Sequence, residues 1–170
     1  WVCIFDRKIT TTATKGIYIV YLLSKDGNSL YLSFNQGCTD IRKNNSKKDT
    51  IRIMREKAED IRKRIDSRGF NADNNAKLGD GLTELGELYQ EGMIFYKEYK
   101  KGNVPGESEL QNDLRLMMDI YKEYVNGKAE NTEIIDVEGG EEQLSTKDTL
   151  DQIKKYIAAK GFTFNEGLVE

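Results

Sequence analysis

The sequence predicts an α+β domain, a twisted, mainly antiparallel β-sheet built on a central hairpin with flanking helices. Three observations carry that reading. Residues 16–37, GIYIVYLLSKDGNSLYLSFNQG, hold two runs rich in Ile, Val, Leu and Tyr around a polar tip. Over 49–68 the apolar residues recur every three or four positions, the period of an amphipathic helix. The same period returns over 106–125.

In chain order, residues 1–5, WVCIF, read as a strand entering the hairpin's sheet, and the polar, Thr-rich 6–15 as a loop. The hairpin places strands at 16–23 and 30–35, because β-branched and aromatic residues suit a pleated surface and Asp26-Gly27 tolerates the backbone of a tight reversal. Both faces of the first strand are apolar: Ile17, Ile19, Tyr21 and Leu23 on one, Tyr18, Val20 and Leu22 on the other. Such a strand is either covered on both sides or lines a pocket with one of them.

Gly37 to Lys48 reads as loop, with Arg42, Lys43, Lys47 and Lys48 exposed. The helix over 49–68 has the stripe Ile51, Met54, Ala58, Ile61 and Ile65, a cap at Asp49 or Thr50, and Gly69 as its stop. Residues 69–81 are loop chemistry, and Leu82 to Tyr99 form a second apolar region interrupted by Gly86 and Gly92. Within it, MIFYKEY reads as strand or extended chain leading to Pro105. The next helix, 106–125, takes Ser108 with Gln111 as a capping box and buries Leu110, Leu114, Met117, Tyr121 and Val125. The domain is thus placed at 1–126, an acidic, Gly-containing linker at 127–144, and the start of a following domain at 145–170, where Ser145 and Asp148 open a short helix.

At 170 residues the chain has room for one domain with a proper core plus a tail. It opens on Trp rather than Met, which reads as a fragment with upstream sequence missing. No apolar run is long enough to span a membrane, and two cysteines beside abundant Lys and Glu suit a reducing cytoplasm. There is no histidine, which removes imidazole acid–base catalysis, His-activated nucleophiles and nearly all zinc sites. No Gly-rich phosphate loop and no carboxylate pair in an apolar setting appears, so the reading is a binding domain with no catalytic residue, metal or cofactor.

The net charge of −3 hides an asymmetry: residues 42–68 carry a balance of +6 and the remainder −9. A basic block on an acidic chain suits a polyanion, while a solvated helix face is the plainer alternative. Lys15, Arg42, Lys43, Lys47, Lys48 and Arg52 are the expected phosphate contacts. Trp1 beside the Tyr18, Val20 and Leu22 face offers a flat apolar slot of the kind that holds a flipped nucleobase, although most strand aromatics are core.

The runs WVCIF, GIYIVYLL and LYLSFNQG, followed by LYQEGMIFYKEY, VPGESELQNDL and the final KGFTF, resemble the N-terminal DNA-binding domain of McrB-type proteins. These are subunits of modification-dependent McrBC restriction systems. The resemblance implies binding of methylated double-stranded DNA with the modified base flipped into a pocket. Trp1 and Tyr89 would then be the stacking walls, and Tyr18 and Leu22 would meet the base edge and its modification. Ile19 stands where relatives often carry Pro, on the other strand face. The resemblance further implies an AAA+ GTPase domain after KGFTF and a separate McrC-type nuclease subunit as partners. From another class, a protein-interaction or assembly module with an aromatic core and a basic docking helix fits the same residues, and so does an RNA or single-strand binder.

Overall fold

Four strands pair antiparallel in sequence order: β1 (Val2–Ile4), β2 (Ile17–Leu23), β3 (Ser29–Gln36) and β4 (Met93–Lys100). Four helices accompany them: α1 (Thr39–Lys43), α2 (Lys47–Arg64), α3 (Glu84–Glu91) and α4 (Glu107–Ala129). The structure, a computed structural model, describes residues 2–129 together with Asp151 and Lys155. The α+β reading therefore holds. Helix α4 reaches three residues into the stretch read as a linker. The rest of that linker and the helix opened by Ser145 lie outside the described residues.

The hairpin forms with Ile17 opposite Gln36 and Leu23 opposite Leu30. At its tip the Asp26 carboxylate accepts from the Ser24 hydroxyl at 2.6 Å and from the Asn28 amide at 3.0 Å. These bonds hold its carboxyl below the usual carboxylate range. Gly27 takes φ 72°, a backbone that glycine adopts without Cβ strain.

MIFYKEY resolves to strand. It pairs with β3 along its length, with an irregularity at Phe34/Asn35. On the outer side of β4, Asn71 and Tyr96 exchange both backbone bonds, at 2.9 and 3.0 Å.

Both faces of the sheet are covered. On one, Ile17, Ile19, Tyr21, Leu30, Leu32 and Phe34 pack against Ala58, Ile61 and Ile65 of α2 and its C-terminal flank. Helix α4 joins the same core through Leu110, Leu114, Met117, Ile120, Tyr121 and Tyr124. Phe34 anchors it, with ring centroids 5.5 Å from Tyr121 and 5.7 Å from Tyr124 in edge-on contacts. The other face, with Tyr18, Val20, Leu22, Tyr31, Met93 and Tyr96, is closed by Ala76 and Leu78 from the long loop before α3.

Several boundaries differ from expectation for identifiable reasons. Helix α2 starts earlier, because the Ser46 hydroxyl accepts from the Asp49 amide and acts as the cap. The Thr50 hydroxyl turns back to the Ser46 carbonyl at 2.8 Å instead of capping. The helix ends at Arg64, ahead of Gly69, and Ile51 is only half-buried. In α4, Ser108 is the second helical residue, so the expected capping box does not form. Gly106 instead receives the first helical bond, from the Leu110 amide at 3.1 Å. Helices α1 and α3 fall in stretches that showed no helical period, since the first buries no residue and the second only Leu88.

Candidate nucleic-acid interface

Strand alternation brings Tyr18 and Leu22 to the loop-covered face, four residues apart on β2 and so roughly 13 Å apart along it. Tyr89, on α3, packs partly buried against the same cluster. Three of the four residues expected at a base pocket thus share one cluster, while Trp1 lies outside the described residues. Cys3 and Phe5 join them, and the Phe5 ring stands edge-on to Tyr18 with centroids 5.6 Å apart. Neither residue was expected at the site. Phe5 follows from strand alternation once β1 is paired with β2.

This face is shut. Tyr18 is 0% exposed and Leu22 6%. Inside it, the hydroxyls of Tyr18 and Ser33 are buried with no hydrogen-bond partner among the described residues. Burial, with smaller contributions from Tyr89, Cys3 and Cys38, raises the Tyr18 phenol well above its ordinary value, so it stays a neutral donor. Burial likewise pushes the Cys3 thiol up to about 12. Both cysteines are free thiols, Cys38 buried and Cys3 half-buried.

Lys15, Arg42 and Lys43 lie near the end of the sheet where Ile17 opens β2. Here the loop before β2 is stitched to the chain after β3: the Gly37 amide donates to the Gly16 carbonyl at 2.9 Å and the Asp40 amide to Thr14 at 3.2 Å. A Cβ on Gly37 would stand 2.4 Å from the Lys15 nitrogen, so only glycine permits that approach. Lys15 is thereby held beside α1 and its Arg42 and Lys43.

Most of these cations already have carboxylate partners. Arg42 Nε meets Glu84 at 2.7 Å, Lys47 pairs with Glu87, and Arg55 Nε meets Glu91 at 2.7 Å. Lys43 pairs with Asp40 on its own helix at 3.1 Å. Arg52 lies 3.0 Å from Glu56 and 3.8 Å from Asp49. Lys15 and Lys48 are exposed and make no ion pair among the described residues. Exposed pairs of this kind are individually weak and are screened by salt. The acids Glu84, Glu87 and Glu91 were missed as partners. Their spacing of three and four residues was the available signal of a second charged helix face.

Arg62 has a different task. It donates to the carbonyls of Ile94 at 2.8 Å, Asp73 at 2.7 Å and Met93 at 3.0 Å, and to the Asn74 side chain at 2.9 Å. Alongside it, the Tyr96 hydroxyl donates to Asp73 at 2.6 Å, a bond that keeps the Asp73 carboxyl below its usual range. Together they clamp the loop that closes the aromatic face. A cleft of about 220 Å³ opens between α1 and α3, lined by Cys38, Thr39, Arg42, Lys43, Glu84, Leu85 and Leu88.

An aromatic face next to a basic end, on this order of strands and helices, coincides with a family match. Residues 1–126 match the family described as MrcB-like, N-terminal domain. The chain belongs to this family. Membership in the MrcB-like family supports a McrB-type DNA-binding role, in a non-catalytic domain, within the setting of a restriction system. Comparison with curated proteins and with solved structures returned no match. No described helix of this MrcB-like domain is long and apolar enough to cross a membrane.

Proposed function

We propose that this domain recognises modified double-stranded DNA by taking the modified base into the closed aromatic face. The observation that carries the reading is the Tyr18 hydroxyl, buried beside Tyr89 without a partner among the described residues. A buried donor left unmade is costly, and a base edge arriving there would supply its acceptor. Tyr89 supports stacking from α3, Ser33 offers a second unpartnered hydroxyl, and Leu22 bounds the far end. Trp1 would be the opposite stacking wall. Lys15 and Lys48 would make the first phosphate contacts, joined by Arg42, Lys43, Lys47 and Arg52 once their present partners give way. In this reading the domain acts in the cytoplasm and delivers DNA to an AAA+ GTPase domain of its own chain and to a McrC-type nuclease subunit.

The ion pairs that occupy the basic block favour a second reading, a protein-assembly module whose aromatic face is plain core. One titration separates the two. The domain is mixed with matched duplexes holding a central cytosine, methylcytosine, hydroxymethylcytosine or methyladenine, each at two salt concentrations. Preference for one modified duplex, with affinity falling steeply as salt rises, is expected from the first reading and names the base. A folded domain that ignores every duplex, modified or not, supports the second. Preference for single strands over any duplex would instead indicate a stacking platform for unpaired nucleic acid.

A further inference from the structure

The helix that pairs with the cations a DNA backbone would need also carries Tyr89 to the edge of the aromatic face, beside the loop that closes it. Glu84, Glu87 and Glu91 lie on one side of α3 and pair with Arg42, Lys47 and Arg55 across three successive contacts. Apolar support beneath α3 is thin. Leu88 is its one buried residue, packed in a small cluster with Cys38 and Met54, and Leu85 is 48% exposed. On its other side α3 carries Tyr89 toward Tyr18. Two polar bonds assist there, from the Asn35 amide to the Tyr89 carbonyl at 3.2 Å and from the Leu78 amide to the Gln90 side chain at 2.8 Å. The C-terminal end is fixed, because Gly92 packs directly on Asn35, Met54 and Gln36.

We propose that α3 is an electrostatic latch on the Tyr89 edge of the aromatic face, released by the DNA backbone. Phosphates compete for Arg42, Lys47 and Arg55, the three carboxylates lose their partners, and α3 swings about Gly92 with Tyr89. The competition favours DNA for two reasons. Duplex phosphates are dense and bind cations with release of counterions. Unpaired glutamates facing that backbone are then repelled by it, so the helix is pushed as well as freed. Modified and unmodified duplexes share this backbone, so either opens the latch, and the base is sampled only where backbone contact has already been made. The inference rests on the base-recognition reading for what enters the face, but the helix movement stands apart from it.

The test compares hydrogen exchange of the full chain with that of Glu84→Gln/Glu87→Gln/Glu91→Gln. Without DNA, amides of α3 in the variant are expected to exchange about tenfold faster, while β2 and β3 keep their protection and show that the fold is intact. Adding unmodified duplex at low salt to the unaltered chain should loosen α3 in the same way. This second arm does not depend on the variant folding. Protection of α3 that is unmoved by duplex overturns the latch, whether or not the variant loosens it, because the pairs would then be purely structural. Loosening by duplex without preference for any modified base keeps the latch and removes the base-flipping reading.

Discussion

Gly92 and Asn35 meet where a side chain would stand: a Cβ on Gly92 would lie 2.3 Å from the Asn35 Oδ1. Asn35 cannot yield easily. It is fully buried, and the same oxygen accepts from the Gln36 amide at 2.7 Å. Gly92 has φ −79°, which any residue adopts, so contact rather than backbone conformation excludes a side chain. Gly92→Ala should therefore destabilise the domain by about 1–3 kcal/mol, the usual cost of overpacking. Urea unfolding measures this. Combining it with Asn35→Ala should cost less than the sum of the two single changes, because the clash disappears. Strict additivity would place the cost elsewhere.

Tyr121 ties the loop after β1 to the sheet. Its hydroxyl accepts from the Asp6 amide at 2.9 Å and donates to the Ile17 carbonyl at 2.6 Å. Tyr121→Phe removes both bonds in a buried setting and should cost roughly 1–3 kcal/mol. Exchange of the Asp6 amide should quicken in the same variant.

Stability should fall in alkali. Burial pushes the Tyr121 phenol from 10.0 up to about 12, and burial raises Tyr18, Tyr21, Tyr96 and Tyr99 in the same direction. A folded-state value above the unfolded one means the stabilisation is complete below pH 10 and is lost as pH climbs toward 12. The urea midpoint should be level from neutrality to about pH 9 and drop beyond pH 10, less steeply in Tyr121→Phe. A midpoint that rises above pH 10 would refute the assignment.

Removing the Tyr18 hydroxyl, which has no partner among the described residues, separates stability from recognition. Tyr18→Phe should leave stability unchanged or raise it by up to about 1 kcal/mol, because a buried donor without an acceptor is lost. Preference for the modified duplex should nonetheless shrink, with affinity for the unmodified duplex unaltered. Equal loss of both stability and binding would mean that the hydroxyl has a structural partner.

Free and paired cations should differ in their salt signatures. Lys15→Ala and Lys48→Ala should each lower the slope of log affinity against log salt by about 0.9, as a phosphate contact does. Arg52→Ala should do less, since Arg52 already faces Asp49 and Glu56. Salt titrations of the three variants on one duplex give the comparison.

The sheet, its two faces and the two long helices were legible in the sequence because burial imposes its period directly on Tyr18, Val20 and Leu22 or on Met54, Ala58 and Ile61. The site was legible only in part. Strand alternation placed Tyr18 and Leu22 together, but α3 buries only Leu88 and gave no period, so the helix under Tyr89 was missed. The pairing of the basic block was hidden for a related reason. Arg42 and Glu84 are 42 residues apart, and nothing local to either announces the other. Arg62 likewise resembled any other surface arginine until the four acceptors around it were in place.

The exchange of backbone bonds between Asn71 and Tyr96 has a consequence for self-association. An outer strand normally offers a row of free amides and carbonyls to any chain of similar twist. On β4 that row is interrupted at its middle, and Lys97 and Lys100 add charge beyond the break. A second molecule therefore finds no continuous template on this margin, because Asn71 from the loop before α3 occupies Tyr96 and Arg62 occupies the carbonyls of Met93 and Ile94.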